Sequence, residues 1–309
     1  MKWRGRRVSD NIEDRRGSGG FGGRRGGGLR MRLPRGRAAR RGGGIGGIGL
    51  ILIVVAALYF GVDPRLVLGM LGGGGPGLVP GGSTTASAPS GPNTIDDDME
   101  RFLGVVLADT EEVWQARFRE MGRTYRAPTL VLYSGVTPSA CGTANAAVGP
   151  FYCPGDQRIY LDTDFFDTLR HDLGAGGDFA QAYVVAHEVA HHVQTLLGIL
   201  PEVTRLRTRM SETESNAMSV RVELQADCLS GVWANRADAR FGSIEAGDIE
   251  EALGAASRIG DDALMRSAGR AVVPDSFTHG SSAQRVRWFT TGWRSGDPAA
   301  CDTFSAGRL

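Results

Sequence analysis

The chain has 309 residues, 41% hydrophobic and 22% charged, and its 35 Lys+Arg balance 34 Asp+Glu, so a strongly acidic or strongly basic protein is excluded. The averages conceal an asymmetry: residues 1–41 hold 14 of the basic residues and only three acidic ones, and 26 of the 46 glycines precede Asn93. A uniformly folded domain of 309 residues is excluded as well.

Residues 1–41 are dominated by Arg and Gly, as in Phe21-Gly-Gly-Arg-Arg-Gly-Gly-Gly, and such a stretch buries too little to offset its ordering entropy. They are expected to form a disordered tail. Residues 42–62 carry no charge and centre on Ile48-Gly-Leu-Ile-Leu-Ile-Val-Val-Ala-Ala-Leu-Tyr-Phe60. As a helix this run would cover roughly 30 Å, the thickness of a bilayer core. It is therefore expected to be a single transmembrane helix. The basic residues precede it, and Arg65 is the only one between it and Arg101, which predicts a cytoplasmic N-terminus and an extracytoplasmic remainder. Ala86-Ser-Ala88 has the small-x-small look of a signal cleavage site, but it lies far beyond the apolar run, so an uncleaved anchor at the cell membrane is expected. Topology and anionic lipid explain the basic tail, and no specific nucleic-acid partner is expected. Residues 63–93, rich in Gly, Pro and Ser, read as a flexible linker.

Residues 94–309 can fold as one domain. Asp96-Asp-Asp98 opens a helix reaching about Met121, and Thr129-Leu-Val-Leu-Tyr133 reads as a strand. Phe151-Tyr-Cys153 and Arg158-Ile-Tyr-Leu-Asp162 flank the turn signal Pro154-Gly155-Asp156 and read as a hairpin. Helices are expected over about Asp178–Leu197, about Glu212–Arg240, Ser243–Ile259 and Ala283–Trp293. The fold class is α+β, helix-dominated, with a small sheet. Four cysteines in an oxidising space suggest disulfides. Three pairings are possible, and proximity favours Cys141 with Cys153 and Cys228 with Cys301.

The chemistry lies in Ala186-His187-Glu188-Val189-Ala190-His191-His192. On a helix His187 and His191 fall on one face, one turn apart, so both imidazoles reach one zinc ion. Glu188, on the adjacent edge, can take a proton from a water held by the ion. His192 points elsewhere and is read as structural. A catalytic zinc needs a third protein ligand. Gln194 and Leu197 stand where an H-x-x-G-x-x-H continuation would place Gly and His, so the ligand must be a carboxylate. Of Glu202, Glu212, Glu214 and Glu223, only Glu223 has another carboxylate one helical turn on, Asp227, suited to orient a ligating imidazole.

His187-Glu-Val-Ala-His-His-Val-Gln194, Val222-Glu-Leu-Gln-Ala-Asp-Cys228 and Thr278-His-Gly-Ser-Ser-Ala-Gln-Arg-Val-Arg-Trp288, together with Met1-Lys-Trp-Arg-Gly-Arg-Arg7, resemble the bacterial neutral zinc metallopeptidases, a membrane-anchored family with a glutamate as third ligand. The resemblance implies a zincin-like domain, one Zn²⁺ and a peptide or protein substrate. His279 is a candidate oxyanion donor, with helix capping as its alternative role. The strand Arg158–Asp162 is expected to be the edge against which an extended substrate pairs. A non-catalytic, zinc-stabilised binding domain is the competing function, and Glu188 beside an open coordination position favours hydrolysis over it.

Overall fold

The computed structural model describes residues 1–16, 95, 97–145 and 148–309. The expected transmembrane helix at 42–62 and the linker at 63–93 lie outside the described residues, and among the described residues no helix is long and apolar enough to cross a membrane. What is described is helix-dominated, with one small mixed sheet and a separate two-stranded ribbon, an α+β arrangement.

Helix α1 (Asp98–Glu120) begins where the Asp97 carboxylate accepts from the backbone N–H of Glu100 at 2.7 Å, and it buries Phe102, Leu103, Val106, Val113 and Phe118. The sheet has the order β1-β2-β6-β5, with β1 (Ile12–Asp14), β2 (Thr129–Tyr133), β5 (Phe151–Cys153) and β6 (Arg158–Asp162). β1, β2 and β6 run parallel and β5 runs antiparallel to β6. The ribbon pairs β3 (Val136–Ser139) with β4 (Gly142–Asn145).

Two expectations are corrected by the sheet. Residues 1–16 are not part of a disordered tail: they supply β1, because Ile12 is buried at the core and the neighbouring charges find carboxylate and guanidinium partners. Arg158–Asp162 is not an edge strand, because β1 and β2 extend the sheet on its far side, leaving β5 as the edge beside the helices.

After α2 (Phe165–His171) comes α3 (Asp178–Leu197), apolar on almost every side and buried accordingly from Phe179 to Gln194 except at Gln181, with Ala182, Ala186 and Ala190 small enough for neighbouring elements to pack closely. Gly198, at φ 83°, ends it in the left-handed conformation and turns the chain into α4 (Ile199–Arg207). Helix α5 (Glu212–Phe241) starts from a reciprocal cap between Ser211 and Glu214. The expected helix from Ser243 is shorter than its hydrophobic pattern: α6 runs Asp248–Arg258, since Gly247 takes φ 97° and the Ser243 carbonyl accepts from the Lys2 N–H. Helices α7 (Asp261–Ser267) and α8 (Ser282–Ser295) follow, the latter capped by Ser281 and Gln284.

Helices α5 and α8 approach backbone to backbone. A Cβ at Gly292 would collide with the Cys228 carbonyl, and one at Gly231 with the Phe289 carbonyl, so glycine at both positions permits the contact. Cys141–Cys153 and Cys228–Cys301 are both disulfides, as expected. The second links positions 73 residues apart, a closure worth about 4 kcal/mol in the chain-entropy account, and ties the C-terminal turn Pro298–Cys301 to α5.

Candidate metal centre

Helices α3 and α5 carry the site. His187 and His191 lie one turn apart on α3, and Glu223 faces them from α5, with ligand atoms all within 4.8 Å of one another. His187 Nε2 is 3.1 Å from Glu223 Oε2, and His191 Nε2 is 3.6 Å from Glu223 Oε1. All three residues are buried.

The opposite ring nitrogens are held from behind. Asp227, fully buried one turn after Glu223, lies 2.9 Å from His187 Nδ1. Arg285 of α8 donates to both its oxygens, Nε at 2.8 Å and Nη2 at 2.9 Å, and the Tyr183 hydroxyl donates at 2.5 Å. Burial alone would raise the Asp227 carboxyl, but the Arg285 guanidinium and His187 outweigh it and hold it at about 2. An ionised carboxylate only accepts, so Nδ1 of His187 carries the proton. His191 Nδ1 is 2.9 Å from Gln194 Oε1, and the Gln194 amide donates to the Val222 carbonyl and to Gln225, whose own amide donates to the Cys301 carbonyl. That chain fixes the amide orientation and makes Nδ1 of His191 a donor as well.

Both Nε2 lone pairs therefore converge on the Glu223 carboxylate. Lone pairs approach one another only around a positive charge, which either a proton or a metal ion can supply. Against the penalty of burial, Asp227 and Glu223 push His187 up to about 10, while His191 and His187 hold the Glu223 carboxyl well below its ordinary range. With a metal ion in place of that proton, the two imidazoles with hydrogen-bonded backs and one carboxylate would be the donor set that zinc takes in hydrolytic sites.

A cavity of about 300 Å³ opens beside these atoms. His187, Glu188, His191, Glu223 and His279 line its polar end, and Phe151, Tyr152, Phe165, Val184, Leu200 and Val203 line an apolar wall. His279 reaches it from the loop before α8. Its Nδ1 lies 3.2 Å from Asp261 Oδ1, and the backbone N–H groups of Thr278, His279 and Gly280 all donate to Asp261 Oδ2. Burial would lower the His279 pKa, but Asp261 raises it above 6.5. His192 faces away: it is buried between the Arg126 carbonyl, 2.6 Å from Nε2, and the Tyr152 hydroxyl, 3.1 Å from Nδ1.

The family model described as "Putative neutral zinc metallopeptidase" matches residues 1–304. The chain belongs to that family. Over most of its length it is similar to curated relatives. It is 47% identical over 304 residues to "Uncharacterized protein YpfJ" of Escherichia coli strain K12, covering 98% of this chain and 99% of that one. It is 41% identical over 222 residues to "Uncharacterized protein Rv2575" of Mycobacterium tuberculosis strain H37Rv, covering 69% of this chain and 74% of that one. No solved structure matches.

Four residues that support the site, Tyr183, Gln194, Asp261 and Arg285, are not assigned to it by the sequence pattern. Tyr183 stands one helical turn before His187, a spacing that placed it on the same face all along. Arg285 and Asp261 lie far away in sequence; Arg285 falls within the Thr278–Trp288 segment that carries the resemblance, but no spacing pairs either residue with its partner at the site. Gln194 was weighed only as a missing Gly, although its distance of three residues from His191 suits a side-chain hydrogen bond on one helix face.

Proposed function

We propose that this chain hydrolyses peptide bonds with one zinc ion held by His187, His191 and Glu223. The convergence of both Nε2 atoms and the Glu223 carboxylate beside an open cavity carries the reading. Zinc in such a set acts as a Lewis acid toward a carbonyl oxygen and lowers the pKa of a water molecule.

The chain's own residues supply the rest. Glu188 lines the cavity next to His187 and takes the proton from the attacking water, then returns it to the leaving amine. His279, held by Asp261, donates from Nε2 to the oxygen that gains charge. The edge of β5, unpaired among the described residues, brings Phe151 and Tyr152 to the cavity and pairs an extended peptide by main-chain hydrogen bonds. The apolar wall favours a hydrophobic side chain next to the scissile bond. Two disulfides support action outside the cytoplasm, at the membrane through the apolar run at 42–62.

Incubation of the full chain with a proteome-derived peptide mixture tests the reading. Cleavage is expected to cluster beside apolar residues, to stop with chelator and to return with zinc. Cleavage that persists in chelator, or none at any zinc concentration, overturns it.

The pH dependence adds a second check. His279 donates as imidazolium, so activity is lost as pH rises through its pKa, which Asp261 holds above 6.5. Asp261→Asn removes the charge that holds it there. The alkaline limb of the kcat/KM profile is expected to move to lower pH, and His279→Ala to cost about 100-fold in rate. An unmoved limb removes His279 from the mechanism.

A further inference from the structure

Residues 1–16 are joined to the domain by strand pairing, packing and charge. β1 pairs in register with β2, Ile12 opposite Leu130 through Asp14 opposite Leu132, and the ladder is continued by Leu130 N–H to the Asn11 carbonyl at 2.8 Å and Arg15 N–H to the Leu132 carbonyl at 2.7 Å. Met1 and Ile12 enter the core. Val8 crosses α1 at Gly104, where a Cβ would collide with it.

Charges on the segment meet opposite charges on the domain at several points along the path. Arg6 pairs with Asp109 at 2.6 Å and Arg7 with Glu111 at 2.9 Å, both on α1. Glu111 also accepts from the Ser9 hydroxyl and the Asn11 amide. Glu13 receives Arg158 at 2.6 Å, and Arg16 meets Asp97 at 2.7 Å. Asp178 and Asp248, which with Glu251 form the second acidic group able to hold a cation among the described residues, have the Met1 nitrogen 3.1 and 3.2 Å away. The family match also runs from residue 1 into the domain without a break in its bounds.

We propose that this docking fixes the topology of the chain: residues 1–16 and the domain bearing the candidate metal centre lie on the same side of any membrane to which the chain attaches. A strand cannot hydrogen-bond to a sheet through a hydrocarbon layer of about 30 Å. This proposal departs from the orientation expected from the charge count, which has the N-terminus in the cytoplasm and the domain outside. Six of the 14 basic residues behind that expectation, Lys2, Arg4, Arg6, Arg7, Arg15 and Arg16, belong to the docked segment, and most of their guanidinium groups are paired to domain carboxylates. The proposal holds whether or not the site is a peptidase.

The four native cysteines are paired, so an introduced cysteine is the single free thiol. Asp10→Cys and Arg209→Cys, both at exposed positions, are made separately in the full chain and exposed in intact cells to a membrane-impermeant maleimide, with permeabilised cells giving the total. Equal labelled fractions are expected, both high or both absent. Label at Arg209→Cys with complete loss at Asp10→Cys until permeabilisation, or the reverse, overturns the proposal. Amide exchange on the purified full chain is the companion measurement: slow exchange at Leu130 and Arg15 is expected, and exchange at the rate of an unstructured peptide overturns it.

Discussion

Replacing Glu188 with Gln is expected to lower kcat/KM by about 10²- to 10⁴-fold, the loss that follows removal of a positioned general base. Glu188 sits between His187 and His191 in sequence yet is not in the group His187, His191 and Glu223 that could hold a cation. It lines the cavity, 8% exposed, where a substrate would meet it. The amide has the same shape and no basic oxygen. Zinc content and thermal melting should therefore match the parent chain while turnover is lost. A Glu188→Gln chain that cleaves peptides as fast as its parent would remove the hydrolytic role from this residue.

The second large effect is expected at Asp227. Its carboxylate is fully buried and is the acceptor for Arg285, Tyr183 and His187 together. Asp227→Ala leaves the buried Arg285 guanidinium without its counter-charge, at a cost of about 3–5 kcal/mol. It also frees the His187 ring, and loss of such an orienting partner typically weakens a metal by about 10- to 100-fold. Denaturant unfolding in chelator isolates the first effect and zinc titration the second. Adding Arg285→Met to Asp227→Ala should recover part of the stability but none of the zinc affinity. Equal stability of the parent and the Asp227→Ala chain in chelator would show that the Arg285–Asp227 pair is not what holds α5 to α8 here.

The same pair marks the boundary of what local sequence discloses. His187, Glu188 and His191 fit a pattern of five residues on α3, and Glu223 with Asp227 repeats its period on α5, so helical spacing alone marks these residues. Arg285 and Asp261 come to the site only through the packing of α7 and α8, and no spacing within one element encodes a contact 58 residues away. The disulfide pairing was readable from proximity for Cys141 with Cys153. Cys228 with Cys301 followed from it by exclusion.

The longer helices were legible from their apolar periodicity and their Asp, Ser and Gly boundaries, whereas α2 and α7, at seven residues each, are too short to establish a period. β1 was missed for a related reason. Three residues, Ile12-Glu-Asp14, cannot display alternation, and the charges around them are those of a solvated tail unless their partners on α1 and β6 are known. The misplaced sheet edge has the same origin, since β6 becomes central only when β1 and β2 are seen beside it.

X-ray absorption at the zinc edge of the metal-loaded full chain tests the central assignment most directly. Two imidazole nitrogens at about 2.0–2.1 Å, a carboxylate oxygen and one exchangeable light ligand are predicted, with Glu223→Gln losing the carboxylate contribution and most of the bound zinc. A spectrum with a single imidazole, or one left unaltered by Glu223→Gln, would contradict the site described for His187, His191 and Glu223.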